Sequence, residues 1–304
     1  MKIELDKELI KKVRQIDIRL RRKVNHLFSG QYRSAFKGQG MIFSDFREYV
    51  PGDDVRAISW NVTAKMSRTI VKTFEEDRET EIVLVVDASS SLDFGVGRQS
   101  KLEALNLLTA LVAFCAQKNR DSVGLLMFSE DVDVYLPPKK GYHHILRIVR
   151  EICKKRPTKK SSQEGVRLAS SFLRKVLKKR SHIFLYSDFL WSFSFGNDLR
   201  SLTNRNDVIS VVISDPFEKE IPPLGLVDVE DLETGQTKTV DFSSAFFQKH
   251  YKKIMEEALR NRTKELIRSK VEPIFIDTSK DIYEPFIQFF QKRAQGHKTV
   301  AQTR

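Results

Sequence analysis

The sequence predicts an α/β fold: a doubly wound, mainly parallel sheet with helices on both faces, preceded by a segment of one helix and short strands. Two observations carry this. Short apolar, β-branched runs recur near 82–87, 123–128, 183–187, 208–213 and 271–276. They lack polar alternation, as strands buried on both faces must. Helical periodicity fills the intervals, near 101–117, 143–155, 166–179, 244–269 and 282–293. Alternating strands and helices are the pattern of crossover units, which lay successive strands parallel.

Ahead of that alternation, Leu9, Val13, Ile16, Leu20, Val24 and Leu27 recur three or four apart, so 5–28 reads as a helix with one apolar stripe. Gly30, Gly38 and Gly40 then mark turns, and 41–73 hold short strand-like pieces around Val50-Pro51-Gly52-Asp53-Asp54. The run 132–135, just before Pro137-Pro138, is expected as an antiparallel edge strand, where nearby prolines are tolerated. The polar end 298–304 is expected to fray. The organisation that follows is an N-terminal segment over 1–78, the α/β domain over 79–293 and a polar tail over 294–304.

The 304 residues suffice for a sizeable buried core. Lys and Arg number 53 against 40 Asp and Glu, a formal net charge of +13 concentrated in blocks at 11–23 and 154–180. Such blocks can attract nucleic acid, anionic lipid or an acidic protein surface. No zinc-finger spacing, aromatic RNA-binding signature or recognition helix accompanies them, so a solvated basic face is the simpler reading. No apolar run is long enough to cross a bilayer, and the charged start is unlike a secretory signal. Cys115 and Cys153 have no metal-ligand or C-x-x-C spacing, which suits a reducing cytoplasm. A cytoplasmic location is expected.

The chemistry concentrates where the first parallel strand ends. The run Glu81-Ile82-Val83-Leu84-Val85-Val86 stops at Asp87, with Ser89 and Ser91 on the turn beyond it. Open α/β sheets bind ligands at the carboxyl ends of their strands. One carboxylate and two hydroxyls make a hard, oxygen-only donor set suited to Mg²⁺ or Mn²⁺, with the other positions left to water or a partner's oxygen. The plainer alternative is that the serines only cap the following helix. The D-x-S-x-S spacing at a strand end resembles the metal-ion-dependent adhesion site of von Willebrand factor A domains. That resemblance implies three loops. Asp87, Ser89 and Ser91 form the first, and Asp188, after the strand ending at Ser187, lies on the third. On the second loop Glu164 stands where such domains usually carry Thr, unless a small gap brings Thr158, Ser161 or Ser162 there instead.

A wider resemblance covers nearly the whole chain. Gly30-Gln31-Tyr32-Arg33-Ser34, Phe36-Lys37-Gly38-Gln39-Gly40 and the long run from Phe46 through Val50-Pro51-Gly52-Asp53-Asp54 to Trp60 and Lys65 resemble bacterial domain-of-unknown-function family 58 proteins. So do Asp121-Ser122-Val123-Gly124-Leu125, Ser187-Asp188-Phe189 and Asp228-Val229-Glu230-Asp231-Leu232-Glu233-Thr234-Gly235. The resemblance implies a von Willebrand factor A-like domain behind a family-specific segment. It also implies partnership with a MoxR-type AAA+ ATPase in protein maturation or remodelling. Within the long run, Gly52 after Pro51 suits a type II turn. Asp53 and Asp54 can cap amides and pair with Arg47 or Arg56. Trp60 is expected as an apolar anchor against the main domain. The stretch is either a structural clasp or a docking surface for the ATPase through Arg47, Asp53, Asp54, Arg56 and Trp60. Ser59 stands where the family commonly has Asp.

These features favour a non-catalytic interaction module that shares a metal ion with an acidic residue of its partner. A metal-dependent hydrolase or phosphotransferase would use the same oxygens. The sequence, however, has no G-x-x-x-x-G-K-[ST] loop, two-metal carboxylate cluster or nucleophile elbow, and His143 and His144 assemble no triad. A basic nucleic-acid or membrane-surface binder would instead show steep salt dependence.

Overall fold

A computed structural model describes residues 2–24, 32, 35–36, 41–76, 80–96, 99–154, 163–191, 194–230 and 236–302. In chain order these form α1 (Lys2–Lys23), β1 (Met41–Glu48), α2 (Trp60–Met66), β2 (Ile70–Glu76), β3 (Glu81–Asp87) and α3 (Lys101–Lys118). There follow β4 (Ser122–Phe128), β5 (Val132–Lys139), α4 (Tyr142–Cys153), α5 (Gln163–Val176), β6 (His182–Ser187), α6 (Gly196–Thr203) and β7 (Asp207–Ser214). The chain ends with α7 (Pro216–Lys219), β8 (Leu226–Glu230), β9 (Thr237–Asp241), α8 (Ala245–Arg268), β10 (Glu272–Asp277) and α9 (Glu284–Gln302). Contacts divide the chain into two units, 1–35 with 81–304 and a small unit of 36–80.

The large unit is built on a six-stranded sheet of order β10-β7-β6-β3-β4-β5. Neighbouring strands run parallel from β10 across to β4, and only β5 is antiparallel. This is the mixed α/β architecture with a mainly parallel sheet that the alternating pattern predicts. Every residue from Ile82 to Asp87 is buried. Val83 and Val85 join a cluster with Val166, Ala169 and Leu173 of α5, Leu199 and Leu202 of α6, and Leu266 of α8. On the other face α3 lies against β3, β4 and β7 and contributes nothing to that cluster. With α1 and α4 packed around it, α3 is buried almost all round, so it shows little amphipathic contrast.

Strand order places the site. β4 lies to one side of β3, and the chain then returns to lay β6 on the other. The order therefore reverses between β3 and β6, and the crevice at their carboxyl ends is a topological switch point, where such sheets accept ligands.

Residues 1–35 belong to the large unit through α1, whose Ile16 and Leu20 are buried. Tyr142 Oη donates to Asp17 Oδ2 at 2.8 Å, and Tyr32 Oη to Asp121 Oδ2 at 3.0 Å. α1 is helical to Lys23, and 25–28 of the expected helix lie outside the described residues. β5 is longer than expected and takes in both prolines, which an edge strand bonded only to β4 can accommodate. α9 continues to Gln302, through residues expected to fray. The exposed hairpin β8–β9 had no apolar face to announce it.

The small unit is an antiparallel β1–β2 pair with a bulge at Phe43/Asp45, followed around by a 3₁₀ turn at Val55–Ala57 and α2. Ser59 N donates to Ile70 O at 2.8 Å and Thr63 Oγ1 accepts from Ile70 N at 3.0 Å, which ties α2 to β2.

Candidate functional site

Asp87 ends β3 and is 1% exposed. Its Oδ1 accepts from Ser89 N at 3.0 Å, and its Oδ2 from Ser187 Oγ at 2.7 Å and Trp191 Nε1 at 3.2 Å. The Ser89 and Ser91 hydroxyl oxygens lie 3.1 Å apart. Adjacent ligands of an octahedral ion bound at about 2.1 Å sit about 3 Å apart, so the pair has the spacing of two neighbouring coordination positions. The capping alternative does not account for them. Ser89 precedes the short 3₁₀ turn Ser90–Asp93 without making a side-chain cap bond. α3 is capped by Ser100, whose Oγ accepts from Glu103 N at 3.1 Å while Glu103 Oε2 accepts from Ser100 N at 3.3 Å.

Asp188 follows β6 and is equally buried. Its Oδ2 accepts from Lys101 Nζ at 2.8 Å, its Oδ1 from Leu190 N at 3.2 Å, and its carbonyl from Arg262 Nη1. Lys101 Nζ also donates to Glu218 Oε1, and Glu218 Oε2 accepts from Asp215 N at 3.2 Å. Burial alone would lower the pKa of this ammonium, but attraction to Asp188 and Glu218 outweighs it and holds Lys101 above its ordinary value. Burial likewise raises Glu218, with Lys101 opposing. Asp188 is thus charge-balanced by the protein itself. Phe189, at φ +52°, takes a left-handed backbone that a bulky side chain adopts only under strain. Its ring packs against Trp191 and Phe195 with centroids 5.0 and 5.6 Å away, an arrangement that aims the Trp191 N–H at Asp87.

Glu164 is not brought into this group. It lies in the first turn of α5, and its carboxylate is exposed and paired with Arg167 at 2.7 Å. The helix start itself is pressed against the loop after β4, because a Cβ at Gly165 would overlap the Ser129 carbonyl oxygen. Thr158, Ser161 and Ser162 lie outside the described residues. No cluster of three or more His, Cys, Asp or Glu able to hold a metal occurs among the described residues. The donor set present is therefore Asp87 with two hydroxyls. It fits a hard cation held weakly and completed from outside, and does not fit a tightly held resident ion. Phe94 and Val96, a few residues past Ser91, and Leu190, two residues past Asp188, are exposed. His144 is far from this chemistry in register: its Nε2 bonds Val123 O at 2.9 Å, at the opposite, amino end of β4.

In the small unit, Arg47 makes a bidentate pair with Asp53 at 2.6 and 2.8 Å, and Asp53 Oδ2 also accepts from Val50 N. Gly52 has φ +111° in the turn closed by Asp53 N and Val50 O at 3.0 Å. Asp54 Oδ1 caps the 3₁₀ turn through Arg56 N at 2.9 Å, so Arg56 contributes its backbone here. α2 turns Thr63 toward β2, and Trp60 is left 66% exposed, along with Val50, Val55 and Met66.

A family model described as "Protein of unknown function DUF58" matches residues 45–262. This chain belongs to the DUF58 family. It is 29% identical over 244 residues to an uncharacterised protein of Mycobacterium bovis, an alignment covering 79% of this chain and 76% of that one. The uncharacterised YeaD of Bacillus subtilis is 26% identical over 111 residues, 36% of this chain and 26% of that protein. Among solved structures, a conserved hypothetical protein, BatB, of Bacteroides thetaiotaomicron is similar at a TM-score of 0.47 and 16% identity, over 71% of this chain and 99% of that one. An aerotolerance-related membrane protein of Bacteroides fragilis is similar at 0.49 and 16%, with the same coverage. Among the described residues of this DUF58 chain, no helix is long and apolar enough to cross a membrane.

The DUF58 match includes residues to which sequence reasoning gave no role at the site: Lys101, Ser187, Trp191, Glu218 and Arg262. Asp215-Pro216-Phe217-Glu218 did carry a signal, since Asp, Pro and Glu in that order spell a capping box, and one forms there. Lys101 carried a fainter one. A lysine at the first position of a helix opposes the helix dipole and calls for a carboxylate nearby. Arg262, deep in α8, carried none.

Proposed function

We propose that this DUF58 protein is a non-catalytic protein-interaction module with a von Willebrand factor A-like domain and a metal-ion-dependent adhesion-type site. The observation that carries the reading is the Ser89–Ser91 hydroxyl pair, 3.1 Å apart beside buried Asp87 at the switch point of the sheet. Asp87, Ser89 and Ser91 would hold Mg²⁺ or Mn²⁺. With Asp188 already neutralised by Lys101, the nearby carboxylates Asp87, Asp188, Asp215 and Glu218 still outnumber the cations Lys101 and Arg262. Cation binding there is favoured, but only Asp87 is disposed as a direct carboxylate ligand. The bound ion would supply a Lewis-acidic point for a partner's carboxylate, and Phe94, Val96 and Leu190 would give that partner an apolar rim. In the small unit, Arg47, Asp53, Asp54 and Arg56 hold the turn, while exposed Trp60 is the contact we assign to a MoxR-type AAA+ ATPase.

The test is calorimetric titration of Mg²⁺ and Mn²⁺ into metal-free protein. Weak, saturable binding at roughly 10⁻⁴–10⁻³ M is expected from so few charged ligands. It should be absent in Asp87→Ala and unchanged in Glu164→Ala. Binding that survives Asp87→Ala removes the site from this place. In pull-downs with the ATPase, Trp60→Ala should abolish capture whether or not chelator is present, and capture that persists refutes that assignment.

A further inference from the structure

We propose that a second cavity, on the face of the large unit formed by α1, α3 and the segment 280–283, is a binding site for a small phosphorylated molecule. Its volume is about 460 Å³, within the range of small-ligand sites. Lys12, Arg19 and Lys23 reach it from α1 and Lys280 from the turn after β10, while among the described residues Glu103 and Asp281 are its only lining carboxylates. Both carboxylates are engaged with backbone amides: Glu103 with Ser100 N at 3.3 Å, and Asp281 with Tyr283 N at 2.8 Å. Among the described residues none of the four cations has an ion-pair partner. Lys23 instead sits over the Tyr283 ring, 4.0 Å from its centroid. The basic block at 11–23, which reads as a solvated face in sequence, therefore converges in part on a concavity.

The polar lining strengthens the case. Asn106, on α3, is 1% exposed, and both its amide nitrogen and amide oxygen lack a hydrogen-bond partner; the Tyr283 hydroxyl is buried in the same condition. Buried polar groups are nearly always paired, and Asn106 and Tyr283, whose polar atoms the protein leaves unpaired, both border this charged cavity. Four cations against two carboxylates leave a charge of +2, which matches the dianion of a phosphate monoester. Arg19 adds a guanidinium fork suited to phosphate oxygens. A duplex or a membrane would need an extended basic surface, whereas these groups gather around one concavity.

The probe is inorganic pyrophosphate, titrated by calorimetry into the full chain in metal-free buffer of fixed ionic strength. Saturable one-to-one binding is expected, weakened about tenfold or more by Arg19→Ala, since a hydrogen bond to a charged group is lost. Arg19 is exposed, so that variant will fold. Asn106→Leu should lower affinity while leaving the melting temperature equal or higher, because it removes two unpaired buried polar atoms; a purely structural asparagine would behave oppositely. Asp87→Ala should leave pyrophosphate binding intact, which keeps this site distinct from the one at the carboxyl edge. Absence of saturable binding overturns the proposal, as does equal affinity in wild type, Arg19→Ala and Asn106→Leu. So does binding to phosphatidylserine vesicles without binding to pyrophosphate.

Discussion

Lys101 occupies, at the amino end of α3, the electrostatic position that a cation would otherwise fill between Asp188 and Glu218. All three side chains are almost wholly buried. Replacing Lys101 with Met keeps the volume but strands two carboxylates, and breaking such a buried pair costs about 3–5 kcal/mol. Urea unfolding of Lys101→Met should show a loss of that size, and a loss near zero would mean the carboxylates are not ionised as drawn. Legibility differs sharply among these residues. Asp87, Ser89 and Ser91 are readable because one turn presents them together. Lys101 and Glu218 meet across 117 positions and Lys101 and Asp188 across 87, which no local pattern encodes. Glu164 was placed by family resemblance, and its pairing with Arg167 within the same helix is the short-range alternative that prevails.

At the scale of elements, burial decided which were legible. β3, β4, β6 and β7 are buried on both faces and read as continuous apolar runs. The β8–β9 hairpin is mostly exposed and left no such trace. α5 offers a test in which local and tertiary effects have opposite signs. Helix propensity alone makes Gly165→Ala stabilising by about 1 kcal/mol. The new Cβ, however, would collide with the Ser129 carbonyl, and overpacking of that kind costs about 1–3 kcal/mol or more. Thermal unfolding should therefore show a net loss, and a rise in Tm would mean that α5 can move away from the β4 loop.

Over the large unit as a whole, Asp207 joins β6, β7 and α9. Its carboxylate takes two bonds from Arg293, at 2.6 and 2.7 Å, and lies 2.7 Å from His182 Nδ1; Arg293 also reaches Glu272 at the start of β10 at 2.9 Å. Burial by itself would raise the Asp207 pKa, but His182 and Arg293 outweigh it and hold the carboxyl well below its ordinary 3.8. A depressed carboxyl stabilises the fold above its unfolded value and loses that contribution as pH falls toward the folded one. Stability should therefore decline as pH drops through 3.8, and Asp207→Asn should flatten the decline while costing about 2–4 kcal/mol at neutral pH. Denaturant midpoints across that range measure both, and parallel curves for the two proteins would assign the acid sensitivity to other carboxylates.

The sequence by itself determined the α/β class, the order of the parallel strands' segments along the chain, the Asp87 turn and the family. Each depends on residues near one another in the chain: apolar runs, helical periodicity, a carboxylate followed by hydroxyls two and four positions on. Tertiary structure decided which strands became neighbours, and so put the switch point between β3 and β6. It also brought Lys101 onto Asp188, left Trp60 exposed, and packed α1 against α3 and α4. Those outcomes come from burial and charge pairing summed over distant segments. A local pattern carries no record of which distant residue will meet it.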